Sequence, residues 1–506
     1  MTSIQIFDGN DTIGGNKIYI TERNQGYFLD FGMNFKKYGD FFQEYISPRS
    51  TRGIYDLFHL NLIPKLNIYR KDIIPSDFDV SSFPTLDVRA ILLTHAHMDH
   101  FGNIGLLEPS YPIIASPSTL VLLKGILDTS SAKLGSDVVY YSIKKPKKDD
   151  RVLESDKYEL NGRDFISTED YSDSLREFME ISAKSRKNLK QGTLTTLNSF
   201  SSNLEITPFE VDHSIYGATA YILSGDSTIA YTGDFRLHGK KSNKTEEFIK
   251  KAKNASVLIM EGTRAGRQDV HESEDIVYEN CLKIAEDSKG LIVSDFSARN
   301  FERLDSFKKI AKKVDRNLVI TAKDAYLLNA LEKADGIDRI KGTLIYGELK
   351  TISNFWENNI LVGDAEIIYI DPVEISKSPE KYLICFSLFD IKNLLDINVK
   401  GGTYIYSSSE AFEEESVFDF IRLYNWLKHL DFEIFGFKIT EETSGFKPIF
   451  MEGYHASGHA SKSDLIKIVD IIDPEILIPV HTDSPEWFSK NFDYTVLLNA
   501  DEKYTF

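Results

Sequence analysis

Apolar and polar positions divide the chain into stretches of different period. Over residues 1–125 short strand-like runs dominate, separated by the turn sequences DGND, TIGGN and ERNQG. The run VRAILLT (88–94) has the length and β-branched content of a buried strand. Residues 126–200 are polar and lysine-rich, and SLREFMEISAKSRKNLK within them reads as helical. This stretch is expected to elaborate the functional face, as a lid. The strand pattern returns over 204–263. From 264 to 445 helical and strand patterns alternate: SEDIVYENCLKIAEDSKG, LIVSDF, FERLDSFKKIAKK, NLVITA, AYLLNALEKA. Such alternation predicts a parallel sheet flanked by helices, and so an α/β class. No repeat or low-complexity linker interrupts the pattern.

A length of 506 residues predicts two or three packed units, and 42% hydrophobic content can fill their cores. No apolar run reaches the roughly 18 residues of a membrane span. The opening MTSIQIFDGND lacks a basic region followed by an apolar one, so no secretory signal is expected. Two cysteines, Cys281 and Cys385, make no disulfide framework; they read as buried thiols in a cytoplasmic protein. The formal charge of −18 disfavours loose duplex binding across a broad surface, though not a narrow groove. The basic runs at 143–151 and 183–192, and the acidic run EAFEEES at 410–416, read as solvated faces.

The chemistry concentrates in LLTHAHMDHFGNIG (92–105), where His95, His97, Asp99 and His100 use three of the chain's 11 histidines. An isolated histidine is usually a satisfied core or surface residue. Four such groups in six positions at a strand end instead suit divalent metal, because crowded imidazoles would repel one another once protonated. Further donors are then expected at other strand ends. His213 follows a strand-like run in ITPFEVDHSIYGATAYIL (206–223). Asp234 ends STIAYTGD, and His481 ends ILIPVH (476–481). Spacing alone yields this pool of donors and no division among ions.

His-X-His-X-Asp-His, a later histidine and Gly-Asp-Phe together resemble the metallo-β-lactamase superfamily. FLDFGMNF (28–35) looks like its first motif, with Asp30 supporting the ligands. LIMEGTRAG (258–266), SDFSARNFERL (294–304) and GYHASGHAS (453–461) resemble the β-CASP branch, and SGHAS with PVH is similar to the RNase J group. After His481 stands TDS (482–484), where that group usually has a glycine–glutamate pair. The resemblance implies an αββα metallo-β-lactamase sandwich over residues 1–263 (with 126–200 as a polar insertion) and 446–506, interrupted by a β-CASP parallel-sheet domain over 264–445. It assigns His95, His97 and His213 to one ion and Asp99, His100 and His481 to the other, with Asp234 bridging. The ions would be zinc, with manganese as the alternative. Asp99, His459 and Glu261 are the implied catalytic residues: His459 as acid to the leaving oxygen, Glu261 as its partner. Ser457, Gly458, Ser461 and Ser408 are candidate phosphate contacts; His455 and His238 are expected to be structural. The implied activity is two-metal hydrolysis of single-stranded RNA, 5′→3′ exonucleolytic with some internal cleavage. A DNA nuclease and a noncatalytic scaffold in an RNA-processing complex are the alternatives. No membrane is implied as a partner, and a homodimer is compatible with the resemblance.

Overall fold

The computed structural model describes residues 2–43, 45–130, 134–183, 187–268, 272–297, 299–357, 368–408, 414–442 and 445–506. Two sheets lie face to face. The first has eight strands, in the spatial order Leu194–Thr196, Phe165–Ser167, Ile113–Ala115, Val88–Leu92, Gln25–Leu29, Lys17–Glu22, Thr2–Asp8 and Lys503–Thr505. The second has five: Glu205–Glu210, Thr219–Ser224, Thr228–Tyr231, Val257–Glu261 and Ile476–Val480. The central strands are covered on both faces and read as near-continuous apolar runs, as in Val88–Leu92, Val257–Glu261 and Ile476–Val480. The period of two still shows in where each residue goes. Ala90 and Leu92 point into the core between the sheets and Ile91 into the outer one. Across the gap, Val257 and Ile259 meet the inner core while Leu258 and Met260 pack outward under the helices Ser242–Lys251 and Lys462–Ile472. Each such fully buried aliphatic side chain contributes about 1.5–3 kcal/mol.

A third sheet of seven strands runs, in space, Tyr369–Ile370, Leu344–Tyr346, Asn317–Ile320, Tyr382–Cys385, Ile292–Asp295, Gly402–Tyr406 and Phe432–Phe435. Every neighbouring pair in it is parallel. All its residues fall between two strands, Val257–Glu261 and Ile476–Val480, that are themselves parallel neighbours in the five-stranded sheet. The helix Ala322–Asp335 of this unit opens with a Thr321–Asp324 capping box and closes on Gly336 in the left-handed region. It packs against the helix Pro117–Thr129, which starts at the Ser116 cap with proline in its first turn. Gly125 makes the approach close: a Cβ there would lie 2.9 Å from Leu327 Cδ2. One turn on, Asp128 is fully buried and accepts hydrogen bonds from Lys124 Nζ (2.5 Å), Tyr326 OH (2.7 Å) and Tyr140 OH. That carboxylate ties the two units together.

The structure departs from the sequence-based expectation in three places. Residues 126–200 are not simply a lid, because Phe165–Ser167 and Leu194–Thr196 form one edge of the eight-stranded sheet. Phe165 and Ile166 are buried in opposite cores, which fixes them there. The helix expected over 174–190 spans Asp173–Glu180; it ends before the lysine-rich run, and Asn188–Lys190 pairs parallel with Glu159–Gly162. The strand-rich first 125 residues also contain most of the long helix Pro117–Thr129, whose apolar residues are buried nearly all round. The basic run 143–151 forms a hairpin whose charges are answered locally, as in Lys145–Asp156 (2.6 Å) and Arg151–Asp149 (2.6 Å). Residues 410–413 of the acidic run lie outside the described residues. Among the described residues no helix is long and apolar enough to cross a membrane.

Candidate metal centre

The donors converge where strands of the two facing sheets end. Val88–Leu92 leads into Thr94 and His95; His97 stands at the N-cap of the one-turn helix Met98–Phe101, which carries Asp99 and His100. His213 follows Glu205–Glu210, Asp234 follows Thr228–Tyr231, and His481 follows Ile476–Val480. Asp30 and His481 adopt positive φ (58° and 52°), a conformation unfavourable to residues other than glycine and held here by their surroundings. His481 is pinned by its backbone N–H, which donates to the Gly9 carbonyl at 2.6 Å.

Two groups of four donors result, each with its atoms within 4.8 Å of one another: His95, His97, His213 and Asp234; and Asp99, His100, Asp234 and His481. Asp234 belongs to both. In the first group His97 Nδ1 lies 3.0 Å from His95 Nε2 and 3.2 Å from His213 Nε2. In the second, His100 Nε2 is 3.1 Å from Asp234 Oδ2, and His481 Nε2 is 3.2 Å from Asp99 Oδ2. Glu261, His459 and His481 form a third, overlapping group.

Four of the imidazoles have the ring nitrogen turned away from the cluster engaged. His95 Nδ1 meets Thr94 Oγ1 at 3.0 Å, His100 Nδ1 meets Asp30 Oδ2 at 2.8 Å, His213 Nδ1 meets the Gly458 carbonyl at 2.6 Å, and His481 Nδ1 meets Thr263 Oγ1 at 2.9 Å. Such contacts fix ring orientation and tautomer, leaving Nε2 to face inward. Asp30 is itself held by the Thr94 amide (2.8 Å) and Tyr231 OH (2.7 Å). Thr94 and Thr263 were not picked out from the sequence. Their signal was adjacency: one directly precedes His95, and the other lies two residues beyond Glu261.

The electrostatics suit metal. Burial, reinforced by neighbouring imidazoles, holds His95 and His97 far below the usual histidine range, and burial brings His213 to about 4. These three rings are therefore neutral and offer lone pairs. For His100 burial acts in the same direction, but Asp234, Asp30 and Asp99 outweigh it and the pKa is raised. Burial would raise Asp234, yet His100, His481 and His459 keep it ionised. Its Oδ1 is buried with no hydrogen-bond partner among the described residues. A buried carboxylate oxygen without a hydrogen-bond partner, beside the neutral rings of His95, His97 and His213, is costly unless a cation occupies the space, so the donor set fits divalent metal.

His459 Nδ1 is 3.1 Å from Glu261 Oε1, and Thr263 Oγ1 lies at 3.1 Å from the same nitrogen. Burial pulls His459 down, but Glu261 and Asp234 prevail and its pKa is raised. The candidate phosphate contacts are placed differently from one another. Gly458 turns its carbonyl to His213. Ser461 Oγ caps the helix Lys462–Ile472 through Asp464, and Ser457 Oγ accepts the His459 N–H at 3.2 Å. Ser408 alone of the four lines a large cavity of about 1120 Å³. That cavity runs from Met98 and Arg299, beside the donor cluster, to the carboxyl ends of the seven-stranded sheet at Asp295 and Asp324, a common position for ligands in parallel sheets. His455 lies between the Ser408 and Gly436 carbonyls (2.8 and 2.7 Å), and His238 Nε2 meets the Ser457 carbonyl at 2.8 Å.

Behind the site, a buried ionic network joins the loops of the five-stranded sheet to the seven-stranded unit. Arg236 contacts Asp212 (3.0 Å), Glu274 (3.1 Å) and Glu302 (2.7 Å); Arg303 contacts Glu274 (2.9 Å) and the Ser407 carbonyl. Arg236 also donates to the Ser457 carbonyl at 3.2 Å, which supports the loop that presents Gly458 and His459.

Facing sheets with a paired donor cluster at one edge define the metallo-β-lactamase fold, and residues 80–293 match the family model "Metallo-beta-lactamase superfamily". Residues 451–487 match "Zn-dependent metallo-hydrolase RNA specificity domain". Ribonuclease J of Mycoplasma genitalium is 22% identical over 403 residues, covering 78% of this chain and 57% of that protein. Ribonuclease J of Methanocaldococcus jannaschii is 23% identical over 479 residues, covering 87% of this chain and 85% of the relative. The chain thus spans a little over half the length of its Mycoplasma relatives, at 57%. A crystal structure of a protein of unknown function from Enterococcus faecalis covers 100% of both chains with a TM-score of 0.67 at 21% identity, and so shares the fold. Together these matches support a likeness to the RNase J proteins of the β-CASP branch.

Proposed function

We propose that the protein is a two-metal phosphodiesterase acting on single-stranded RNA, 5′→3′ with some internal cleavage. The carrying observation is the pair of four-donor groups sharing Asp234. In this reading His95, His97 and His213 hold one ion, Asp99, His100 and His481 the other, and Asp234 bridges. Five imidazoles with two carboxylates suit zinc, with manganese as the alternative. When bound, two divalent cations supply charge to the scissile phosphate and acidify water. The chain's own residues do the rest. Asp30, Thr94, Thr263 and the Gly458 carbonyl hold the imidazoles in register. Glu261 keeps His459 protonated by accepting from Nδ1, so the Nε2 proton is free to pass to the leaving oxygen. The cavity beside the site, with Ser408 on its wall, takes the strand. The unit over 264–445 is the β-CASP domain, inserted between 1–263 and 446–506.

The donor geometry reads phosphate, so DNA is the second reading. A noncatalytic scaffold is disfavoured because all seven donors stand together. The test is cleavage of matched 5′-labelled RNA and DNA by chelator-stripped and metal-restored protein. Metal-dependent release of mononucleotides from RNA is expected. Cleavage of DNA alone would move the assignment to the second reading, and no cleavage of either by metal-restored protein would end the hydrolase assignment.

A further inference from the structure

Arg299 stands apart from the other sequestered arginines. Arg70, Arg236, Arg264 and Arg303 each contact a carboxylate, and Arg163 donates to three backbone carbonyls. Arg299 has one side-chain hydrogen bond among the described residues, a long one of 3.5 Å from Nη1 to the Ala96 carbonyl. Burial lowers its pKa, and Asp99, itself directed to His481, acts against that shift. Most of its planar fork of N–H donors is therefore unused. A guanidinium that is only partly buried, lines a cavity and has donors left over is free to take an anion supplied from outside. The location narrows the choice. Arg299 lies just ahead of the helix Phe301–Lys313 in the seven-stranded unit, lines the large cavity beside Met98, and reaches across to the backbone between His95 and His97. The same cavity is also lined by Lys323 and Lys350, and Arg299 is the cationic lining residue that reaches the loop between His95 and His97.

We propose that Arg299 is the cleft's backbone anchor: its guanidinium grips a non-scissile phosphodiester of the substrate strand, next to the one over the donor cluster, as the strand passes between cavity and site. This rests on the phosphodiesterase reading for the identity of the ligand. The fork geometry suits bidentate phosphate binding, carries no base information, and sets which phosphate reaches the cluster.

The probe is a short fluorescent 2′-O-methyl phosphorothioate RNA, which resists hydrolysis, bound to the metal-loaded wild type, R299A and R299K across a salt series. R299A is expected to weaken binding by about tenfold to a hundredfold. It should also reduce the slope of log affinity against log salt by about 0.7, the value for one contact to a single strand. R299K should keep that slope and recover only part of the affinity, because a point charge replaces the fork. Replacing single linkages with neutral methylphosphonate should reveal one position that weakens the wild type and leaves R299A unaffected. Unchanged affinity and slope in R299A would overturn the anchor. So would a loss of affinity accompanied by loss of metal or a lower Tm, which would make Arg299 a brace for the Ala96 backbone. Failure of the wild type to bind the probe would also overturn it. A wild type that binds with this Arg299 signature but cleaves neither unmodified RNA nor DNA would end the hydrolase reading and leave the anchor standing.

Discussion

Substituting Gly458 with alanine tests whether this loop serves the donor cluster or the substrate. A Cβ at 458 would lie 2.9 Å from His213 Cε1, 2.9 Å from Ser214 Oγ and 3.1 Å from His213 Nδ1. Carbon atoms in comfortable contact sit about 3.5–4.0 Å apart, so the imidazole must retreat by roughly half an ångström or more. Metal–ligand distances tolerate only about 0.2 Å, and the same retreat stretches the 2.6 Å contact between His213 Nδ1 and the Gly458 carbonyl. Losing such an orienting contact typically costs 10–100-fold in metal affinity, or about 1.4–2.7 kcal/mol. G458A should therefore fold with an unchanged Tm in the metal-free state yet bind one of its two ions 10–100-fold more weakly. The second ion, whose donors make no hydrogen bond to Gly458, should be much less affected. Competition against a chromophoric chelator, resolved into two sites and checked by metal content per chain, measures both constants. Two wild-type affinities in G458A would refute the orienting role. If oligonucleotide binding alone suffered, Gly458 would return to being a substrate contact.

Other perturbations probe different parts of the structure. H459A should retain both ions and lose about 10²–10⁴-fold in cleavage rate, the range for a lost general acid; loss of metal would make His459 a ligand instead. Burial raises the Asp295 carboxyl from 3.8 to about 7, with Asp390 adding to the shift and the Tyr404 hydroxyl opposing it. The unfolded chain thus releases this proton between pH 3.8 and 7 while the native state keeps it, so stability falls as pH rises through that window. D295N should match the wild type near pH 4 and exceed it above pH 7, by up to the order of 4 kcal/mol; parallel stability–pH curves would refute this. D128N should destabilise the protein by about 3–5 kcal/mol, because Lys124 is left buried without its counter-charge, and the K124M/D128N double variant should recover much of that loss. Equal melting of the single and double variants would show that the charge is not what matters.

The parts of the site that could be read from the chain are those whose chemistry demands unusual residues in unusual density. His95, His97, Asp99 and His100 stand out because neither a core nor a surface needs such a group, and His213, Asp234 and His481 share their position at strand ends. The supporting contacts were hidden for a physical reason. The Gly458 carbonyl is a backbone atom that every residue carries, and the hydroxyls of Thr94 and Thr263 resemble many others until folding brings them to an imidazole. The alternating helices and strands of 273–334 were legible because each helix is long enough to show its period. The three-residue edge strands at 165–167 and 194–196 are too short to show one, and their polar surroundings suggested an appendage. Arg299 was visible only as part of a motif; that it makes no ion pair with a carboxylate among the described residues emerges only once the fold places it.

The parallel pairing of Val257–Glu261 with Ile476–Val480 also bears on biosynthesis. A chain made from its N-terminus can gather His95, His97, His213 and Asp234 once the first 234 residues have emerged. The partner of Asp99, His481, lies 382 residues further along, beyond the whole seven-stranded unit. Until that last donor arrives, the second group lacks a member, the five-stranded sheet lacks its outer strand, and the backbone holding His459 has not been anchored. A nascent polypeptide therefore lacks a complete second donor group until residue 481 has been made. Because domains fold as they emerge, the seven-stranded unit must also form without trapping the open edge that Ile476–Val480 will fill. Ribosome-bound intermediates should thus expose the Val257–Glu261 edge as their most vulnerable surface.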